Sequence, residues 1–459
     1  MSSSCVPQED VMVTPQVMPK INRVFFDRVF EWIVGNRSYD YLPMVLANDK
    51  LGRDDLEQLQ VSKLRILLRV AWERSLFYRE RMRRADFDPA EVRRTADIVR
   101  LPPVTKTELR SALARGHLLT QPRRKLVKGQ TAGSTGSPLV VYHSHADLSF
   151  ARACDFRAWE WYGWRPGDSI ITVWGARTNV SWPLKVLTRL RNRAIGHLCL
   201  EADRLSDVNA RMYLRVVDRV RPAILYGYVS SLVQLARIGR EYGIRVNSPG
   251  AVATTAEMLF SNERRFLSDY FGTSVYDQYG STEVNSLAFE CPTHAGSHVA
   301  ADHVLVETAE DGHVLVTDLD NLAMPFIRYE NGDVAEWKSE MCPCGRASPL
   351  LSRVLGRRSE IIRGPNGNRV HGEFFTHILE DWGWFERYRI NNFQVVQEKL
   401  NLIVMRFVAL SKPRPEDQLF LTNIIREFLG DVEVEYEYPD VLPVSVAGKR
   451  QFTISKLVD

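Results

Sequence analysis

A chain of 459 residues has room for roughly two to four domains of about 100–200 residues each. Its 45% hydrophobic and 25% charged residues are those of a soluble globular protein, and a net charge of only +4 argues against a nucleic-acid or membrane-surface protein. No apolar run approaches the ~20 residues of a membrane span, the start at Met1–Asp10 lacks a basic segment followed by an apolar one, and six cysteines in so long a chain do not make a disulfide scaffold, so the expected compartment is the cytoplasm.

In chain order, residues 1–20 read as a loosely ordered N-terminus. From Ile21 to about Ala85 apolar residues recur at three- and four-residue spacing between many Arg and Glu, as in an amphipathic helical layer. Leu101–Lys106, with Pro102 and Pro103, is a stiff connector into another helix. Gly129–Tyr142 then concentrates hydroxyls (Thr131, Ser134, Thr135, Ser137) and glycines (Gly129, Gly133, Gly136), closed by Pro138 and a strand over Leu139–Tyr142. Such a loop can wrap a phosphate chain with backbone N–H groups and side-chain donors. It is not a Walker loop, since that spacing and its lysine are absent, and the alternative reading is a polar turn between strands.

Ala146–Trp164 reads as a helix whose Trp159, Trp161, Tyr162 and Trp164 belong in a core. Strand and helix then alternate: Ser169–Trp174, Val208–Val220, Ala223–Tyr226, Ser230–Tyr242, Ala251–Thr255, Asn262–Phe271 and Ser274–Gln278. That alternation predicts a parallel sheet with covered faces and a ligand at the carboxyl ends of its strands. From His298 to Trp337 the pattern turns to β, with a hairpin of His303–Glu307 and His313–Thr317 about Asp311–Gly312. The last ~100 residues, with three β-rich runs and one helix at Glu416–Phe428, would make a small α+β domain.

Cys291, His298, Cys342 and Cys344 supply three thiols and an imidazole, enough for a tetrahedral zinc site, although their spacing is not that of a finger. His294 competes with His298 as the fourth ligand, and four unrelated residues are the plain alternative. Cys5, Cys154 and Cys199 show no partner pattern and read as apolar fillers.

Four motifs together carry a family resemblance. Thr131–Pro138 resembles the phosphate loop of adenylate-forming enzymes, and Tyr279-Gly280-Ser281-Thr282-Glu283 their second signature. Arg328–Asp333 resembles the segment whose aspartate holds the ribose. Gly356-Arg357 and Gly448-Lys449 resemble the hinge and the catalytic-lysine segment. The motifs stand in the family's order from about residue 55 to the end. Cys291 together with Cys342–Arg346 points, within this superfamily, to the phenylacetate–CoA ligase and coenzyme F390 synthetase-like branch, in which a zinc site lies between these β segments.

The resemblance implies an α/β fold: a large N-terminal AMP-binding domain (21–356) with α/β sheets and a β-rich subdomain, and a small α+β lid domain (357–459). It implies that Thr131, Gly133, Ser134, Thr135 and Gly136 hold phosphate and that Tyr279, Gly280 and Ser281 line the nucleotide site, with Tyr279 stacking near the adenine. Thr282 would touch the α-phosphate and Glu283 would bind Mg²⁺. Ala256 and Glu257 would line the adenine pocket, Asp333 would accept from the ribose hydroxyls, Arg357 would mark the hinge, and Lys449 would bridge substrate carboxylate and nucleotide. By itself Glu283 reads equally well as a surface residue at a helix start, and Asp333 as part of an Asn-Gly-Asp turn. By analogy the acid would lie between the helix at Ala146 and Trp174–Pro183, over Tyr226–Tyr228 and the Asn285 region. Trp174, Trp182, Tyr226 and Tyr228 would favour a flat or long apolar acid.

Ser137, Glu330-Asn331 and Ser359 depart from the family pattern at the loop, before Gly332-Asp333 and at the hinge; Lys128 is a nearby source of charge. The implied activity is ATP-dependent formation of an acyl-adenylate from an aryl or acyl acid, followed by transfer to coenzyme A. A carrier-protein thiol is the alternative acceptor, and an oligomer such as a dimer is left open. The competing activities are an F390-type adenylyltransferase and a nucleotide-binding protein that keeps only the fold.

Overall fold

In the computed structural model the helical pattern of the N-terminal stretch resolves into four helices, Lys20–Ile33, Ser38–Asn48, Arg53–Arg74 and Leu76–Arg84. The structure describes residues 19–131, 139–175, 194–202, 205–309, 312–357, 361–372, 382–442 and 452–457, with 188, 190–192, 374–375 and 378–379. The Pro102-Pro103 connector enters the helix Lys106–Ala114 through a capping box: Thr105 Oγ1 accepts from Glu108 N (3.3 Å), and the Glu108 carboxylate accepts from Thr105 N (2.8 Å).

Strands β1 (Val127–Gln130) and β2 (Val140–His143) form an antiparallel hairpin around the glycine- and hydroxyl-rich loop. The hairpin leads straight into the helix His145–Trp161, whose N-cap Ser144 accepts from Asp147 N. Of the aromatics of that helix and its end, Trp159, Tyr162 and Trp164 are core, as expected, and Phe156 stacks on Trp164 with centroids 4.9 Å apart, whereas Trp161 is only partly buried.

The predicted alternation is present as β3 (Ile170–Trp174), β5 (Ile224–Tyr228), β6 (Ala251–Thr255) and β7 (Val275–Ser281), with helices Asp207–Val220, Val229–Glu241 and Ser261–Phe271 between the later strands, and the structure adds β4 (His197–Glu201), which the sequence pattern did not announce. These five strands pair in parallel. The run continues antiparallel through β8 (Asn285–Glu290) and β9 (Ser297–Val299), then takes in β10 (Val304–Thr308), β11 (His313–Asp318), β12 (Tyr329–Lys338) and β13 (Leu350–Arg357). The result is one eleven-stranded sheet in the order β10-β11-β12-β13-β9-β8-β7-β6-β5-β3-β4. β10 and β11 pair as the predicted hairpin, although Asp311 of its turn lies outside the described residues.

The structure divides into two units, one reaching Val354 and the other taking Gly332–Val334 together with the chain from Leu355 onward. The second unit has a four-stranded sheet, β18-β17-β16-β19 (Glu433–Glu437, Leu402–Ala409, Ile390–Lys399, Thr453–Ser455). It also has the small hairpin of β14 (Ile361–Arg363) and β15 (Arg369–His371) and the helix Pro415–Leu429. Its core is built on Phe375, Trp384, Phe393 and Phe407. Among the described residues no helix is long and apolar enough to cross a membrane.

Candidate active site

The carboxyl ends of β6 and β7 carry Ala256, Glu257 and Tyr279–Glu283 of the predicted nucleotide residues. The loop after β1 is pinched shut at its base: Thr131 N donates to Leu139 O (3.0 Å), and Leu139 N donates back to Thr131 Oγ1 (2.9 Å). A hydroxyl that closes the loop in this way is a structural use of Thr131 that its composition did not disclose. Gly133, Ser134, Thr135, Gly136 and Ser137 lie outside the described residues, as do Trp182, Ser359, Gly448 and Lys449; so does the side chain of Arg357. Lys128 is exposed on β1. A Cβ on Gly129 would stand 3.9 Å from Thr282 Cγ2, so the hairpin lies directly against the second signature.

Tyr279-Gly280-Ser281 ends β7, and Thr282-Glu283-Val284 makes the turn into β8. A side chain on Gly280 would meet Asn285 O at 2.5 Å, and Asn285 itself takes φ 64°, so glycine and asparagine shape the turn. Glu283 is therefore at the tip of a β-turn and not at a helix start. Thr282 is exposed while Glu283 is buried. Among the described residues Glu283 has one hydrogen bond, from Tyr329 Oη to its Oε1 (3.0 Å). A buried carboxylate with one neutral donor lacks a compensating charge, which is the chemistry of a hard-cation ligand.

Tyr329, Asn331 and Asp333 alternate along β12 and are all buried, so Asp333 belongs to a strand and not to a turn. Asn331, the departure from the family pattern, donates from Nδ2 to Tyr279 Oη at 2.6 Å and so orients the expected adenine-stacking ring. After β6, Ala256 takes the left-handed φ of 68°. Glu257 turns back to the helix Val229–Glu241, accepting from Ser230 N (2.7 Å) and Ser230 Oγ (2.9 Å). Its carboxylate sits on the positive end of that helix.

In the expected acid pocket Trp174 packs on Tyr226 and Tyr228 with centroids 5.6 and 4.4 Å away, and Ser286 Oγ donates to Asp155 Oδ1 at 2.6 Å. Asp155 and Ser286 thus form a polar pair between the helix His145–Trp161 and β8, which the aromatic residues did not announce.

Cys291, His298, Cys342 and Cys344 come together, their ligand atoms all within 4.8 Å of one another. Cys291 Sγ and Cys342 Sγ are 3.6 Å apart; a tetrahedral zinc with ~2.3 Å bonds to sulfur needs about 3.7 Å. Cys344 Sγ lies 3.3 Å from His298 Nε2, and Ser348 Oγ at 2.9 Å from Nδ1 fixes the ring. The residues fit zinc. His294 is elsewhere, stacked on Tyr276 at 5.1 Å and paired with Glu290. Cys154 and Cys199 are both buried, as their reading as apolar fillers expects.

A second set, His303, Asp318 and Asp320, also brings three ligand atoms within 4.8 Å. Lys63 Nζ already lies 2.8 Å from Asp320 Oδ1, so this set is an ion-pair network with its cation built in.

The strand-end turn, the pinched loop and the buried carboxylate stand in the arrangement expected of an adenylate-forming site. The chain's relatives include phenylacetate–CoA ligases and protein CapK. It is 27% identical over 340 residues to a phenylacetate-coenzyme A ligase of Thermus thermophilus, covering 69% of this chain and 74% of that one. It is 22% identical over 418 residues to protein CapK of Staphylococcus aureus, covering 88% and 90%. Residues 362–456 match the family described as the CapK C-terminal domain. The fold is shared with 2-hydroxyisobutyryl-CoA ligase in complex with 2-HIB-AMP, at TM-score 0.71 and 20% identity over 89% of this chain and 91% of that one.

Proposed function

We propose that this protein is an AMP-forming acid–thiol ligase that activates a carboxylic acid as its acyl-adenylate and passes the acyl group to coenzyme A. A carboxylate oxygen attacks the α-phosphorus of ATP and pyrophosphate leaves. The thiolate sulfur then attacks the acyl carbon and AMP leaves. The observation that carries this reading is Glu283, buried at the tip of a strand-end turn beside the hydroxyl-rich hairpin, with one neutral hydrogen-bond partner among the described residues. The homology to phenylacetate–CoA ligases supports it.

Glu283 would hold Mg²⁺, which supplies charge neutralisation on the phosphates. Thr282, exposed on the same turn, would meet phosphate, and Tyr279, held by Asn331, would take the adenine. Asp333 takes the ribose hydroxyls, and Lys449 offsets the repulsion between carboxylate and triphosphate. Zinc at Cys291, His298, Cys342 and Cys344 is structural, joining the end of β8 to β9 and to the loop before β13. The acid is aryl or acyl, received against Trp174, Tyr226 and Tyr228. The domain boundary at 356–357 serves as the hinge, and the protein works in the cytoplasm. The test is ATP–pyrophosphate exchange across a panel of aryl and acyl acids. Exchange with at least one acid, followed by AMP and an acyl-CoA when coenzyme A is added, is the expected result; an adenylylated acceptor in place of acyl-CoA would replace this reading.

A further inference from the structure

Two buried histidines reach the same turn from opposite sides. His143, the last residue of β2, places Nε2 at 3.3 Å from the carbonyl oxygen of Thr282. His303, just before β10, places Nε2 at 3.1 Å from the carbonyl oxygen of Val284. The residue between those two carbonyls is Glu283. Each histidine has a carboxylate on its other ring nitrogen: Asp147 Oδ2 at 2.8 Å from His143 Nδ1, and Asp320 Oδ2 at 2.9 Å from His303 Nδ1. Both rings are buried.

The chemistry of the partners sets the protons. A peptide carbonyl only accepts, so each Nε2 must donate. A carboxylate also only accepts when ionised, so each Nδ1 donates too, and the ring is an imidazolium. Burial alone would push His303 down, but Asp318 and Asp320 outweigh it and hold it at about 9; His143 is likewise raised, burial being outweighed by Asp147. Around His143, Asn321 Nδ2 lies 3.3 Å from Nδ1 and donates to Tyr142 O, and Ser144 Oγ donates to Asp147. Around His303, Asp318 Oδ1 is 4.0 Å from Nδ1, Lys63 holds Asp320, and Phe150 covers the ring at 5.8 Å. The two carboxylate–imidazole–carbonyl chains start from different elements and end on the carbonyls of Thr282 and Val284, the two neighbours of Glu283 in the turn.

We propose that His143 and His303 are positioning residues that fix the Thr282–Glu283–Val284 turn, and through it the direction of the Glu283 carboxylate toward the nucleotide-bound metal. Neither touches substrate. The arrangement parallels the partners that orient metal ligands from behind, except that here the backbone of the ligand residue is held. This inference rests on the assignment of Glu283 to the metal.

The test uses the full-length protein with Mn²⁺ as a spin probe beside a non-hydrolysable ATP analogue, together with ATP–pyrophosphate exchange. His303→Leu and His143→Leu should each weaken Mn²⁺ binding and slow exchange by at least about 10-fold, the scale set by loss of an outer-shell partner, with KM for the acid unchanged. His303→Gln, whose amide can still donate to Val284 O, should stay within about 3-fold of the wild type in Mn²⁺ affinity. Where a leucine variant does not fold, His303→Asn, too short to reach that carbonyl, takes its place and should behave as leucine does. Wild-type Mn²⁺ affinity in the leucine or asparagine variants, or equal damage from glutamine, overturns the proposal. A wild type that binds Mn²⁺–nucleotide but exchanges no acid contradicts the ligase reading and leaves the Mn²⁺ comparison to decide this one.

Discussion

Tyr329 Oη and Glu283 Oε1 are joined by a 3.0 Å hydrogen bond between β12 and the β7–β8 turn, and both side chains are buried. The bond aims the carboxylate without neutralising it, leaving its charge for a cation. Glu283→Gln should fold and lose adenylation at least roughly 100-fold, as when a group that binds charge in the transition state is removed. Tyr329→Phe keeps the carboxylate and should cost about 1 kcal/mol of stability, with a loss of adenylation well below that of Glu283→Gln. Pyrophosphate exchange and thermal melts of the two variants check the ranking; near wild-type exchange in Glu283→Gln would remove the metal assignment.

The thiol and imidazole cluster should carry about one zinc per chain by elemental analysis. Cys344→Ser should lower both zinc content and melting temperature, because the cluster ties Cys291 to the Cys342–Cys344 loop and to His298 on β9. Metal-free protein that melts at the same temperature would show the site has no structural role.

His303 also makes stability depend on pH. Its pKa is raised from 6.5 to about 9 in the fold, so its contribution is fully present below 6.5 and is lost as pH rises through 9. A raised value of this size corresponds to about 3 kcal/mol. The groups facing it are Asp318, Asp320 and Lys63, and Asp318 is itself pushed up to about 6, chiefly by burial. Thermal melts between pH 6.5 and 9.5 should show a larger fall in the wild type than in His303→Gln; parallel curves would mean that His303 does not titrate in that window.

The parallel half of the sheet was legible because β3, β5, β6 and β7 are short apolar runs separated by amphipathic helices, a pattern with few alternatives. The strands β8 and β9 were not, because β9 has three residues and its register depends on β13, more than fifty positions on. Spacing could not choose between His294 and His298; pairing of His298 with Leu350 on β13 decides it, by setting the ring near the Cys342–Cys344 loop. Glu283 was marked by its motif, but its turn was not, since the close approach of Gly280 to Asn285 is a three-dimensional fact. His143 and His303 gave no signal at all: each is a single polar residue at the edge of an apolar run, and only the fold brings them to one turn.

Lys449 should be needed for one half-reaction alone. Lys449→Ala should lose at least roughly 100-fold in adenylate formation, where carboxylate and triphosphate repel. It should still form thioester at near wild-type rate from a chemically made acyl-adenylate, if the lid rotates about residues 356–359 between steps. Equal loss in both steps would mean that Lys449 is structural or that this chain does not use domain rotation.

The most direct measurement of the whole account is a product assay. Purified protein is incubated with ATP, Mg²⁺, coenzyme A and an acid that supports pyrophosphate exchange, and every product is resolved by mass spectrometry. Equal amounts of pyrophosphate, AMP and acyl-CoA are predicted, with no AMP formed when the acid is left out. An adenylylated acceptor with pyrophosphate and no AMP, or no exchange with any acid of the panel, would contradict it.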